Sequence, residues 1–275
     1  MNVIIFGKTG QVGSSLIDQL EESGDKNLQF KGYSSKDVNF AKLEDVSKFL
    51  INLKNKPDLI INCAAYTNVD KAEDEKELAN LINHKAVEII ANFCFENSIT
   101  LIHYSTDYVF DGSGDEPFYP DNTKNLNPVN YYGITKLDGE KAIINSGCNY
   151  MIIRISWIYN KMPQFRNFYN TIKNLSKQKE TLEIVSDQIG SPTNSDDVAK
   201  KTIEIINKLQ PTQKIQNITH YSDGNFISWH EFATIIVKDL KKSGENIATK
   251  EIKPINSNQY QTKAKRPLNS RLKNR

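Results

Sequence analysis

At 275 residues, 38% hydrophobic and 25% charged, the chain suffices for one large or two modest domains, and no apolar run approaches the roughly 18 residues of a membrane span. Stapled mini-scaffolds and membrane-spanning proteins are excluded. The net charge of +2 is unevenly placed: residues 261–275 carry six basic residues and no acid, a tail that by charge alone suits nucleic acid, an anionic small ligand or plain solvation.

The chain opens on Met-Asn-Val-Ile-Ile-Phe, with no cationic leader and no small-residue cleavage site, which predicts a first β-strand at 3–6 and a cytoplasmic protein. Val12, Leu16, Ile17 and Leu20 then repeat at helical spacing, as do Val46, Phe49, Leu50 and Leu53. Buried strands are expected at 59–62, 100–104 and 151–155, separated by helices over about 75–97 and 135–144. This alternation predicts an α/β protein with a mostly parallel, doubly wound sheet covered by helices on both faces. Beyond Trp157 the rhythm loosens at Pro163, 186–193 and Pro211, although 196–209 and 228–240 keep a helical period. A smaller C-terminal lobe is expected there. With no internal repeat and no long Gly/Ser linker, the two parts are expected to share a cleft: residues 1–158 with about 194–219 on one side, 159–193 and 220–275 on the other.

Gly7-Lys8-Thr9-Gly10-Gln11-Val12-Gly13 lies between the first strand and the first helix. Glycines at this spacing let the backbone turn tightly and approach a pyrophosphate resting on the free N–H groups of the helix N-terminus, the arrangement of a Rossmann-type dinucleotide site. A Walker P-loop is rejected, because it requires glycine where this chain has Asn2. At the end of the second strand, where an NAD site places an acid, the chain offers Ser34, Ser35 and Lys36 before Asp37 and Val38. Hydroxyls and a cation there suit a 2′-phosphate and predict NADPH, with NADH as the alternative because Asp37 can reach the adenine end.

Tyr with a basic residue four positions later occurs three times, at 132/136, 150/154 and 169/173. Only Tyr132/Lys136 combines helical spacing with a preceding buried strand that ends in hydroxyls, Tyr104-Ser105-Thr106-Asp107. A lysine ammonium beside a phenol favours phenolate and suits the tyrosine to proton transfer. Cys63, Cys94 and Cys148 lack any C-x-x-C spacing and are expected to be buried thiols; His84, His103, His220 and His230 show no metal-ligand spacing, and no metal is expected.

Seven segments now carry a resemblance: the 7–13 loop, Asn62-Cys-Ala-Ala-Tyr-Thr-Asn-Val-Asp-Lys-Ala-Glu73, His103-Tyr-Ser-Thr-Asp-Tyr-Val-Phe110, Tyr132-Gly-Ile-Thr-Lys136, Ser156-Trp-Ile-Tyr159, Asp187-Gln-Ile-Gly-Ser-Pro-Thr193 and Arg266-Pro-Leu-Asn-Ser-Arg-Leu272. In this order they resemble the dTDP-4-dehydrorhamnose reductase family of the extended short-chain dehydrogenase/reductases. The resemblance implies reduction of the C4 ketone of dTDP-4-dehydro-L-rhamnose by a nicotinamide cofactor, within dTDP-rhamnose supply for cell-surface polysaccharide. It implies that Thr106 hydrogen-bonds the ketone oxygen, Tyr132 protonates it, and Lys136 holds the nicotinamide ribose and tunes Tyr132. Gly7, Gly10, Gln11, Val12 and Gly13 would form the pyrophosphate loop, and Ala64, Ala65 and Tyr66 the cofactor wall, with Asn83 near the active site. Asp107, Tyr108 and Trp157 would face the sugar, and Gln188 and Arg266 the diphosphate. A nucleotide sugar then displaces nucleic acid as the expected partner of the basic tail, with the protein a monomer or homodimer and no membrane contact.

Two departures accompany the resemblance. Family members usually run 20–30 residues beyond the Arg-Pro-x-x-Ser-x-Leu segment, so a shortened C-terminal lobe is expected, and Ser15 stands where many carry glutamate. Alternatives of another kind are a cofactor-binding regulatory subunit resembling that of methionine adenosyltransferase, or a reductase of another 4-keto-6-deoxy nucleotide sugar. Joint retention of Thr106, Tyr132 and Lys136 favours catalysis.

Overall fold

Short apolar segments can pair in parallel when each is followed by enough chain for a crossover, and six of them do so here. The computed structural model describes residues 1–25, 27–209 and 214–274; Pro211 and the final tail residue, Arg275, lie outside them. The first half runs β1 (Asn2–Phe6), α1 (Gln11–Ser23), β2 (Gln29–Tyr33), α2 (Leu43–Ile51), β3 (Leu59–Asn62), α3 (Lys76–Asn80), α4 (Ala86–Glu96), β4 (Thr100–Thr106), α5 (Tyr131–Ser146) and β5 (Asn149–Ile155). The second runs β6 (Ile158–Tyr159), α6 (Phe168–Ser176), β7 (Thr181–Val185), β8 (Ile189–Gly190), β9 (Thr193–Asn194), α7 (Ser195–Lys208), β10 (Gln216–Tyr221), β11 (Ile227–Ser228), α8 (Trp229–Lys242), β12 (Glu251–Ile255) and β13 (Asn269–Ser270).

The main sheet has the order β10-β5-β4-β3-β1-β2, all neighbours parallel. Strand order reverses between β1 and β3, the switch point at which open α/β sheets leave a crevice for ligands. Period-two alternation splits the strands between two cores. Ile4, Phe6, Ile60, Leu101 and Ile152 pack under α2, α4 and α5, while Val3, Ile5, Ile61, Ile102 and Ile153 pack under α1 and α7. Each fully buried aliphatic side chain contributes about 1.5–3 kcal/mol, so both helical layers are held by burial rather than by propensity. A third core, Ile172, Leu182, Phe232, Ile236 and Leu240, joins α6 and α8 to the β7–β12 pair. Its helix α8 starts on a reciprocal capping box between Ser228 and Glu231.

The structure differs from expectation at several elements. The helix expected over 75–97 is interrupted by a π-turn, Leu81–Lys85, that carries Asn83 inward. Strand β10, at the edge of the main sheet, runs to Tyr221, past the boundary expected at 219. Cys63 is only partly buried, unlike Cys94 and Cys148. The basic tail is built into the fold: Leu272 packs with Phe110 and Phe118, and β13 pairs with β8. Ser15 is buried, its hydroxyl donating to Asp196 (2.6 Å) and lying 2.8 Å from Ser195 Oγ, which ties α1 to α7. Among the described residues no helix is long and apolar enough to cross a membrane.

Candidate active site

The loop after β1 is shaped by close approach. Gly7 has φ +83°, and a Cβ there would lie 2.6 Å from Ala64 N; a Cβ at Gly13 would lie 2.2 Å from the Gly7 carbonyl oxygen. Gly10 is the N-cap of α1 and supplies no side-chain cap, and the first turn holds no acid. The leading N–H groups of α1 are thus left for an external anion, which a pyrophosphate matches in charge and hydrogen bonding. Of the other expected loop residues, Val12 is buried in the sheet core, and Gln11 accepts a hydrogen bond from Asn167 Nδ2 (2.7 Å).

At the end of β2, Asp37 turns back on its own loop. Its Oδ2 accepts from the N–H and hydroxyl of Ser34 (2.7 and 2.8 Å), which hold its carboxyl below the usual carboxylate range, and Lys8 Nζ stands 3.4 Å away. Ser35 and Lys36 are at the surface beside it, whereas the Val38 side chain belongs to the core with Phe6 and Phe40. Lys8 joins this end although its sequence position pointed only to the rejected P-loop. Its side chain lies over Gly32, so the signal for it is a β-carbon-free site in the neighbouring strand.

Beyond β3, Ala64, Ala65 and Tyr66 follow the strand as expected, and Tyr66 donates to Glu75 (2.5 Å). Asn83, expected near the cofactor, is instead wholly buried behind this wall. Its Oδ1 accepts from Tyr66 N (2.8 Å) while Nδ2 donates to Tyr66 O and Thr135 Oγ1 (both 3.0 Å), so its amide is consumed in holding the wall.

The reacting constellation forms where β4 ends and α5 begins. Asn130 caps α5 by accepting from Gly133 N (2.8 Å), and Gly133 lets the helix close on the Tyr108 carbonyl, which a Cβ would meet at 2.2 Å. Thr106 donates to Asp107 Oδ1 (3.1 Å) and accepts from Tyr108 N (3.2 Å). Tyr108 meets the Tyr132 ring edge-on, 5.7 Å between centroids. Burial pushes the Tyr132 phenol up, with Thr106 partly opposing and the Asp107 carboxyl adding to the rise. The expectation that Lys136 lowers it does not hold in this arrangement: Lys136 Nζ is directed at Tyr104 O (2.7 Å) and His103 Nε2 (3.2 Å), not at the phenol. Asp107 is itself buried, its Oδ2 without a hydrogen-bond partner, and desolvation raises its carboxyl to about 7.

A cleft of about 1070 Å³ opens beside Tyr108 and is lined by Gln188 and Arg266, together with Asp70, Trp229 and Gln259. Tyr108, Gln188 and Arg266 thus line one cleft. Trp157, at φ +48°, is stacked on the cleft-lining Trp229 with centroids 3.4 Å apart. Arg266 is paired with Asp70 (2.6 Å), whose other oxygen accepts from Ala264 N; Lys263 pairs with Asp74 alongside. Nothing in the sequence singled out Asp70 or Trp229, since both act through partners far away in the chain.

Against known proteins, a family model described as RmlD substrate binding domain matches residues 1–275. The dTDP-4-dehydrorhamnose reductase of Salmonella typhimurium is 38% identical over 274 residues, covering 99% of this chain and 89% of that protein. Among solved structures, a dTDP-4-dehydrorhamnose reductase from Clostridium acetobutylicum superposes with a TM-score of 0.87 at 32% identity, covering 100% of this chain and 90% of that one. The Bacillus anthracis enzyme, solved in complex with NADP, gives 0.86 at 30% identity with the same coverage. With the glycine loop at the β1/β3 switch point, the match along its whole length means that the chain belongs to the dTDP-4-dehydrorhamnose reductase family of oxidoreductases.

Proposed function

We propose that this protein reduces the C4 ketone of dTDP-4-dehydro-L-rhamnose to dTDP-L-rhamnose with NADPH, and that Tyr132 is the proton donor. The observation that carries the proposal is the junction of β4 and α5, where Tyr108 donates its N–H to Thr106, lays its ring against Tyr132 and lines a cleft large enough for a nucleotide sugar. The uncapped N-terminus of α1 and the cradle around Gly7 and Gly13 fit a dinucleotide pyrophosphate, and Ser34, Ser35, Lys36 and Lys8 would meet the 2′-phosphate. A reduced nicotinamide, when bound, supplies the hydride.

The chain's own residues account for the rest. Charge grows on the ketone oxygen only as the reaction proceeds, so donors aimed at that oxygen lower the barrier more than they tighten substrate binding. Thr106 and Tyr132 would be those donors. The raised affinity of Tyr132 for its proton keeps the phenol protonated at neutral pH, as a donor must be before transfer. Residues 1–158 with about 194–219 would hold the cofactor, and 159–193 with 220–275 the nucleotide sugar, Arg266 exchanging Asp70 for the diphosphate.

The test is oxidation of NADPH and of NADH by the purified protein with dTDP-4-dehydro-L-rhamnose generated in place, the Tyr132→Phe variant run alongside. Tyr132→Phe is expected to lower turnover by roughly 10²–10⁴ while cofactor still binds. Unchanged turnover in the variant would remove Tyr132 from this role, and absence of oxidation with either cofactor would overturn the activity.

A further inference from the structure

His103 lies in the middle of an apolar strand and is wholly buried, as are Asn62 (1% exposed) and Lys136 (2%). These three side chains form one chain of contacts. Asn62 Nδ2 is 3.1 Å from His103 Nδ1, and His103 Nε2 is 3.2 Å from Lys136 Nζ, which also donates to Tyr104 O. The backbone settles which way the Asn62 amide points. Ala64 N–H donates to Asn62 Oδ1 at 3.1 Å, and reversing the amide would set two donors against each other there.

The proton positions follow. Asn62 Nδ2 donates to Nδ1, so Nδ1 is the acceptor and a neutral imidazole carries its single proton on Nε2. That proton faces Lys136 Nζ. A neutral amine accepts it on its lone pair and still donates to Tyr104 O; an ammonium has no lone pair and meets it donor against donor. With all three side chains buried, bulk water does not relieve the mismatch.

We propose that His103 and Asn62 are positioning residues that weaken the hold of Lys136 on its proton, by presenting the Nε2–H of His103 to Nζ. The proposal deepens the reading above, resting on it for the effect on turnover but not for the proton positions themselves. The surroundings agree with the geometry. Burial pushes His103 well below the usual histidine range, so the ring is neutral, and burial brings Lys136 down to about 8, with Glu140 opposing. Of the charged and titratable groups around Lys136, His103 comes from β4, and Tyr132 and Glu140 from its own helix. Glu140 is balanced by Arg154 of β5 through two hydrogen bonds. As an amine Lys136 exerts no cationic pull on Tyr132; once protonated from solvent, it is a cation one helical turn away.

The test needs neither cofactor nor substrate. In ¹⁵N-histidine-labelled protein at a pH above the lysine titration, His103, assigned by its loss in His103→Gln, is expected to show a protonated Nε2 and an unprotonated Nδ1. The opposite tautomer overturns the proposal. In Asn62→Asp, an isosteric change, one carboxylate oxygen keeps the Ala64 bond and the other accepts from Nδ1–H, so the proton should move to Nδ1; a tautomer that stays put overturns it. His103→Gln adds no charge and offers an oxygen to the ammonium, so the proton affinity of Lys136, followed by ¹³C resonances assigned with Lys136→Met, should rise about tenfold or more. An unmoved titration overturns it. Because none of these signals depends on turnover, an inactive protein would count against the proposed reaction and leave this inference standing or falling on its own.

Discussion

Replacing Glu140 with Gln is the most direct probe of what holds the helix α5 onto the sheet. Glu140 and Arg154 are each 1% exposed and joined by two hydrogen bonds, Nε to Oε1 at 2.9 Å and Nη2 to Oε2 at 2.7 Å. The amide keeps the volume, so no cavity opens, but it removes the charge and sets an NH₂ against one arm of the guanidinium. The Phe110 ring at 5.0 Å and a long contact to Pro120 O at 3.4 Å, neither of them negatively charged, also lie against the cation. Leaving a buried charge without its partner costs about 3–5 kcal/mol. At roughly 2–4 °C per kcal/mol for a chain of this size class, Tm should fall by roughly 6–20 °C. The assay is thermal and urea unfolding of the wild type, Glu140→Gln and the double variant Glu140→Leu/Arg154→Met, in which both charges are gone and much of the loss should return. A loss below about 1 kcal/mol in the single variant, the value of a surface pair, would refute the reasoning. Activity is not the readout, because Glu140 also bears on Lys136.

Gly7→Ala imposes a left-handed conformation costing about 1–2 kcal/mol and drives a methyl into Ala64, so NADPH affinity by fluorescence titration should fall about tenfold; an unchanged Kd would detach this loop from cofactor binding. Asp107 has a folded pKa of about 7 against an ordinary 3.8, so the folded state binds more protons than the unfolded between those values. Its contribution to stability therefore declines as pH rises through that window and stays lost above it, whereas Asp107→Asn should be flatter; parallel urea curves for both proteins across roughly pH 5–8 would contradict this. Asn83→Ala orphans the N–H and C=O of Tyr66 and should cost about 1–3 kcal/mol in chemical denaturation, with no loss indicating that water takes over both bonds.

Much of the scaffold was legible because it is written in local spacing. The strand at 59–62 matches β3, and the glycine loop sits at the switch point, since tight turns and buried strands depend on residues within a few positions of one another. The π-turn at Leu81–Lys85 was not legible, because one extra residue in a helix leaves the apolar period almost unchanged while redirecting Asn83. In the candidate site, Thr106, Tyr132 and Lys136 were anticipated as one group; Tyr108 bridges Thr106 and Tyr132, whereas Lys136 turns to His103.

Sequence by itself determined which side chains are available: a phenol and a lysine one helical turn apart, a run of hydroxyls at a strand end, a cationic segment near the C-terminus. Only the tertiary structure decided whom they face. Lys136 is turned to His103 rather than to Tyr132, Arg266 finds Asp70 from 196 residues away, and Trp157 lies on Trp229. The physical reason is that a helical or strand period sets directions relative to its own axis, whereas the partner across a gap is set by how separate elements dock, and burial then makes each such pairing strong enough to shift a proton.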